Sequence, residues 1–550
     1  MPQSASNADC QCDSQRCHHC VGAARDELSH TLLRISQKDV NDSRNRFIPR
    51  RRLISGINYS DVSRWLSTCL PSSVDITSIE SIARQISPEG ESCCRCGTHL
   101  CTGLRITFAC LMLLGRERYI VPIQRSQHNI CDSTWPLDGS TADCPAASDL
   151  RNILKSLEGT EEELFIHLQW QMRSPYFRSL TPTSPDFGHF IIQDQVSLPW
   201  TTTAEEEGMR DGKLSSVHKI GIHADHCEFE AEGKSFALKI LERGKVLAAA
   251  EKAFNKETAA NQRATHPRIT PLLAAFKHRN KFYLLFPWAN GRNLQHLWSV
   301  YEPYPGLGGE PALWFSPQWM ANQCYNIADA LATVHGQPSK EGGYSIQAQL
   351  HHDIKPENIL CFDDFENGSN TYKLKLTDFG LSLPTDSQST LQPRQIAETK
   401  SYRPPETDIG APSLGQKWDV WCLGCLYLDF ITWAVLGWSG VEAFEEARVE
   451  IDETDPGGST MEEDVFFVKR RVTKRGWCLG GATNKIVAAI KPSVTSHMQD
   501  LRDHPECSPA LAGFLDYIRS KMLVIESNER DSSSEVRDFL HIWMSNQVNS

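Results

Sequence analysis

Two blocks, "HHDIKPENIL" at 351–360 and "LTDFG" at 376–380, flank a stretch that reads as a single β-hairpin. The run "ILCF" is followed by a turn containing Asn-Gly, and "YKLKLT" returns. Asn-Gly between apolar runs of this length is a strong local hairpin signal. A hairpin brings its own ends together. Asn358 and Asp378, twenty residues apart in the chain, are therefore expected side by side. An amide oxygen and a carboxylate at one spot suit Mg²⁺, a hard ion that takes oxygen ligands. Asp353 lies at the same place as a candidate base, and Lys355 adds a fixed positive charge.

The segments upstream supply the remaining charge. "SFALKIL" (235–241) reads as a strand with Lys239 between apolar neighbours. An amine in a mostly apolar cleft is costly unless it meets anions. The Ala-rich segment that follows is helix-prone, ends before Pro267 and carries Glu257, within reach of Lys239. A second helix is predicted over "ANQCYNIADALATVH", where Ile327, Leu331 and Val334 form one stripe. Strands precede the long helices, so the fold class is α+β in two lobes, a small β-rich one and a large helical one. A cation for phosphates, oxygen ligands for a metal and a carboxylate to orient a hydroxyl are the set that phosphoryl transfer needs. Each residue alone is weak evidence; the order Lys239, Glu257, Asp353, Lys355, Asn358, Asp378 is specific.

On these residues, the chain from about 198 to 545 resembles a eukaryotic-type protein kinase domain, with the bilobal fold that this implies. The resemblance makes Lys239 the strand lysine that holds nucleotide phosphates and Glu257 its ion-pair partner. It makes Asp353 the catalytic-loop base, Lys355 the helper lysine, and Asn358 and Asp378 the magnesium ligands. Gly212, Val217 and Ala237 fall around the nucleotide, Phe286 guards the adenine pocket, and Pro287 with Trp288 forms the hinge. "YRPPE" (402–406) resembles the A-P-E segment, and "DVWCLG" (419–424) a helix start whose Asp419 braces the catalytic loop. Arg530 stands where the family pairs an arginine with the glutamate of that segment, here Glu406. "DIKPEN" and Thr399, seven residues before Glu406, match the serine/threonine pattern. The implied cofactors are ATP and Mg²⁺, and the implied partners are protein substrates. Within the family, the chain is similar to protein-kinase-like proteins of filamentous fungi that carry a helical N-terminal region.

Three departures stand out. "RDGKLSSVHK" keeps Gly212 and Val217 but has Arg210 and Ser215 at the other glycine positions, where close backbone approach to phosphates favours glycine. Asn261 occupies a position where the family prefers an apolar residue. His352 replaces the arginine that pairs with a phosphorylated activation loop. With an unperturbed pKa near 6.5 it holds a phosphate weakly, so activity is expected to be independent of phosphorylation in that loop.

The other regions are read more coarsely. Residues 1–40 are expected as a loose polar tail with a helical turn or two in "ARDELSHTLLRIS", 41–175 as a helical region of unknown function, 176–197 as a linker and 198–545 as the kinase-like domain. "ITFACLMLLG" (106–115), between Arg105 and Arg116, reads as a buried helix and is too short to span a bilayer. The net charge of −12 argues against a general nucleic-acid binder. The first residues lack a signal-peptide layout, so the expected location is cytoplasmic, with nuclear entry left open by the run Arg50, Arg51, Arg52. Twelve of the 19 cysteines precede residue 150. The clusters "CQCDSQRCHHC" and "CCRCGTHLC" allow zinc, but their spacing is irregular and reduced thiols are the preferred reading. His223, His226 and Cys227 invite a metal, against the plainer reading of an exposed hairpin tip. The leading function is an ATP- and Mg²⁺-dependent protein serine/threonine kinase. The alternatives are a pseudokinase scaffold with weak nucleotide binding, and a protein whose N-terminal region acts by binding a partner or zinc.

Overall fold

Period-2 alternation in four segments builds an antiparallel sheet, to which a short fifth strand adds in parallel. A computed structural model describes residues 18–38, 46–88, 101–134, 144–155, 160–178, 190–201, 215–229, 234–241, 247–305, 307, 310–364, 371–384, 401–409, 415–451, 462–474 and 483–547. In spatial order the sheet runs Phe190–Ile191, Ala274–His278, Lys281–Pro287, Phe236–Leu241 and Ser215–Ile220. Val217 lies opposite Lys239, and Ala237 opposite Phe286, which puts all four on one face. That face packs against the helix Leu247–Arg263 through Leu241, Leu284, Phe282 and Phe254.

The large lobe is built on the helix Lys417–Ala447, whose first half is buried on every side. It is the one helix among the described residues long and apolar enough to cross a membrane, and its apolar residues are core residues here. It breaks at Gly437, which has φ +72°; a Cβ there would run into the Glu302 carboxylate, so only glycine fits. The helices Pro317–Val334, Pro492–Asp503, Pro509–Tyr517 and Ser533–Gln547 complete this core. Ser316 and Ser508 cap two of them by accepting from the backbone N–H three residues on.

The N-terminal region is helical and has its own core around Trp65, Leu66, Phe108, Leu111 and Phe165. The segment 106–115 is buried as expected: its helix, Arg105–Leu113, has Arg105 itself buried and bonded to Ile57 O, Thr102 O and Ser87 Oγ. Asp132 accepts from the N–H groups of Ile106 and Thr107 at 2.9 and 3.1 Å, placing a carboxylate at that helix's N-terminus.

Two boundaries differ from expectation. The polar segment assigned to a tail forms the helix His18–Ile35, and Ala24, Leu28 and Leu32 enter the N-terminal core. Its apolar residues are sparse, but they share one face, which suffices once a neighbour covers it. The expected linker 176–197 also contributes structure. Phe177 is fully buried against Trp200 and Phe276, at ring distances of 5.6 and 5.5 Å, and Phe190–Ile191 joins the sheet edge. Ser, Pro and Thr signalled a loop, but the aromatic residues between them decide the packing. Residues 179–189 and the first cysteine cluster up to Cys17 lie outside the described residues, as does the second cluster up to residue 100.

Candidate active site

The catalytic-loop segment is held by a buried carboxylate beneath it. Asp419, fully buried at the start of the central helix, accepts from His351 N and His352 N, each at 2.8 Å, and contacts His335 Nε2 at 2.9 Å. Burial alone would push its pKa up, but His335 and the neighbouring histidines hold it down at about 2. These two bonds fix the backbone where His352 takes φ +67°, an uncommon conformation for a residue with a side chain. Asp378 also has positive φ, +63°.

The hairpin forms with Ile359 opposite Leu376 and Asp364 opposite Thr371. Thr377 N donates to Asn358 O at 3.0 Å, so the two motif blocks meet at the open end of the hairpin. His351 Nε2 reaches Thr377 O at 3.0 Å, and its ring packs edge-on to Phe379 at 4.8 Å. Asn358 Nδ2 donates to Asp353 O at 2.8 Å and Asp353 Oδ2 at 2.7 Å. The amide nitrogen thus faces Asp353 and its oxygen faces away. Lys355 Nζ lies 3.3 Å from Asp353 Oδ2.

From the small lobe, Lys239 Nζ reaches Glu257 Oε1 at 2.8 Å and Asp378 Oδ1 at 3.1 Å. Burial opposes the charge on Lys239, but Asp378 and Glu257 outweigh it and keep the ammonium pKa above its usual value. Burial would likewise push Asp378 up, and Lys239 beside it brings it below the ordinary carboxylate range. Glu257, enclosed in the sheet–helix interface, is pushed up by burial against the pull of Lys239. Asp378 keeps 41% of its side chain accessible, so the carboxylate is open to the cleft rather than sealed. A Cβ on Gly380 would come within 3.1 Å of Asp378 Oδ1, so the small residue leaves room for that carboxylate. The oxygen donor set of Asn358 and Asp378, with Lys239 beside it, fits a magnesium–phosphate group.

Phe286, Pro287 and Trp288 are half-buried at the end of their strand, and Trp288 N donates to Ser235 O. Lys219 lies over the Trp288 ring at 5.1 Å. Gly212, Arg210 and Thr399 lie outside the described residues. Asn261 turns its amide to Glu257 O at 2.9 Å and so bonds within its own helix.

The structure corrects the reading of the segment 221–229 as an exposed tip. His226 and Cys227 are buried, and among the described residues no group of three or more His, Cys, Asp or Glu side chains is arranged to hold a metal. The N-terminal region covers this segment: Phe47 packs edge-on to both His223 and His226, and Asp225 accepts from Arg51 N at 3.1 Å. Phe177 exchanges backbone bonds with His226 and Glu228. Nothing in the local sequence pointed to that cover, because it comes from distant residues, about 50 positions away for Phe177 and more than 170 for Phe47 and Arg51.

In the large lobe, Arg530 forms a bidentate pair with Glu406, both bonds 2.7 Å, and lies over Trp421 at 4.9 Å. Sequence reasoning missed a second cluster. Arg403 reaches Glu463 at 2.6 Å and Asp408 at 3.1 Å, and Lys469 reaches Asp408 at 2.9 Å. Tyr402 donates to Asp429, which also meets Arg448. A cavity of about 210 Å³ is lined both by Pro356 and Glu357 of the catalytic loop and by Ser401 and Tyr402, so these segments are neighbours.

A family model described as "Protein kinase domain" matches residues 213–466. Aurora kinase B of Drosophila melanogaster is 31% identical over 176 residues, 32% of this chain and 44% of that relative. Cyclin-dependent kinase 2 of Caenorhabditis elegans is 22% identical over 369 residues, 58% of this chain and 91% of the relative. Serine/threonine-protein kinase ppk23 of Schizosaccharomyces pombe is 40% identical over 83 residues, 15% of this chain and 19% of the relative. The chain thus spans a fifth to under half the length of two of these relatives. With the two-lobed fold and the meeting of Lys239, Glu257, Asn358 and Asp378 in one cleft, residues 213–466 of this chain are a protein kinase domain.

Proposed function

We propose that the protein is an ATP- and Mg²⁺-dependent serine/threonine kinase acting on protein substrates. The observation that carries this reading is Lys239 bridging Glu257 and Asp378 while Asp353, Lys355 and Asn358 form one bonded set at the end of the same hairpin. The bound magnesium nucleotide supplies the transferable phosphoryl group and the cation that offsets its charge. The chain's part is positional. Lys239, already charged and aimed into the cleft, binds phosphate oxygens, and the Asn358 amide oxygen and the Asp378 carboxylate hold the ion. Asp353 accepts the hydrogen of a substrate hydroxyl and orients its oxygen. Lys355 offsets the charge that gathers beside Asp353 as phosphate approaches. Serine and threonine are favoured by "DIKPEN" and by the serine/threonine kinases among the relatives.

The expected location is the cytoplasm. Support comes from Cys110, Cys324, Cys361, Cys422 and Cys425, which are buried as free thiols, a usage that fits a reducing compartment. The test is transfer of labelled phosphate from ATP by the full chain, with and without EDTA, beside Asp378→Ala and Asp353→Asn. We expect label on serine or threonine that EDTA abolishes and that either variant reduces at least a thousandfold. Magnesium-dependent nucleotide binding with no transfer by the parent chain would overturn the enzyme reading and leave a binding module.

A further inference from the structure

The large lobe carries a feature that the catalytic reading does not use. Phe467–Lys474 and Thr483–Ile490 pair antiparallel over eight positions, and among the described residues no third strand joins them. At about 3.3 Å per residue this ribbon is roughly 25 Å long. A lone two-stranded hairpin is marginal in water, so its root has to be anchored. The root is fixed to the segment after the activation loop: Lys469 pairs with Asp408 and Glu463, Arg403 pairs with the same two carboxylates, and Arg403 lies over the Phe467 ring at 5.9 Å. That segment borders the catalytic loop through the cavity shared by Glu357 and Tyr402.

The ribbon's charge runs against that of the chain. Its two strands carry Lys469, Arg470, Arg471, Lys474 and Lys485 and no Asp or Glu, in a chain of net charge −12. Alternation puts Lys469 and the buried Phe467 on the face turned to the lobe and Val468, Arg470 and Val472 on the other. On that outer face Arg470, Val472, Val487 and Ala489 are exposed. An outer strand edge with unjoined backbone groups accepts an extended chain, and alternate side chains then read its sequence.

We propose that this ribbon docks an extended, Asp/Glu-rich segment of the protein substrate by strand addition and so sets substrate preference. Charge complementarity identifies the occupant, and the exposed valines between the basic residues suit peptide side chains rather than a phosphate backbone. The ribbon's root beside the catalytic loop holds such a segment where its neighbouring hydroxyl can reach Asp353. The proposal rests on the kinase reading for its consequence, but docking itself is measurable without catalysis.

The experiment uses the full chain and two acceptor peptides, one with and one without an Asp/Glu-rich extension. It adds a fluorescent Asp/Glu-rich peptide lacking hydroxyl residues and a duplex DNA of ordinary sequence. We expect Arg470→Glu to raise KM for the extended peptide roughly fivefold, with kcat on both peptides and KM on the short one unchanged. Arg470→Lys should restore the parent KM, which a general folding defect would not. Anisotropy should show the labelled peptide bound by the parent and more weakly by Arg470→Glu. Equal KM for the two peptides in the parent, no binding of the labelled peptide, or tighter binding of the duplex overturns the proposal. Peptide binding without phosphate transfer would overturn the kinase reading alone.

Discussion

His352 makes the fold acid-sensitive by a calculable amount. It is 2% exposed, packs on Trp418 at 5.2 Å, and neither ring nitrogen has a hydrogen-bond partner among the described residues. Burial pushes its pKa from 6.5 down to about 4, with His351, Lys256 and His335 adding to the shift and Asp419 opposing it. The unfolded chain binds more protons than the folded one between pH 6.5 and 4, so stability falls as pH falls through that window. From pH 7 to 5 the loss from this residue is about 2 kcal/mol, rising to about 3 kcal/mol near pH 4. The perturbation is His352→Asn, since asparagine tolerates the positive φ and does not titrate. Urea unfolding followed by tryptophan fluorescence at pH 7 and pH 5 gives the change in each chain. The variant can lose packing against Trp418 at both pH values; the readout is the difference between them. Asp419, with a folded pKa of about 2, contributes only below about pH 4, and groups common to both chains cancel. The parent should lose about 2 kcal/mol more than the variant. Parallel losses in the two chains would refute the buried-neutral account.

The same burial leaves His352 without an accessible cation for an activation-loop phosphate, so replacing Thr385, Ser387, Ser389 and Thr390 together with alanine should leave phosphate transfer intact; a dead enzyme would contradict this. Arg530→Met strands the buried Glu406 carboxylate and should cost about 3–5 kcal/mol in urea unfolding, part of it recovered in the Arg530→Met/Glu406→Gln double variant. Phe177→Ala should cost about 3–5 kcal/mol, because the ring is fully enclosed between Trp200, Phe276 and Phe190. A loss below about 1 kcal/mol would mean that the segment is a tether after all.

The site was legible in the sequence wherever chemistry depends on local spacing. The hairpin between Asn358 and Asp378, the strand position of Lys239 and the reach of Glu257 follow from alternation, an Asn-Gly turn and a helix of known rise. What stayed illegible was cover. His226 and Cys227 read as part of an exposed hairpin tip because local composition carries no record of Phe47 and Phe177 packing on them from the N-terminal side. The cluster of Arg403, Asp408, Glu463 and Lys469 was likewise invisible, since its four charges lie up to 66 positions apart and each alone reads as a surface residue.

The sequence by itself determined which charged side chains meet in the cleft, their order, and the two-lobed α+β class, because these depend on periods and turns within one or two elements. Only the tertiary structure decided the environment. It enclosed His352 against Trp418, packed Phe177 and the strand Phe190–Ile191 onto the small-lobe sheet, and bolted a basic ribbon beside the catalytic loop. Burial and pairing are sums over neighbours from distant parts of the chain, and those sums exist only once the chain has folded.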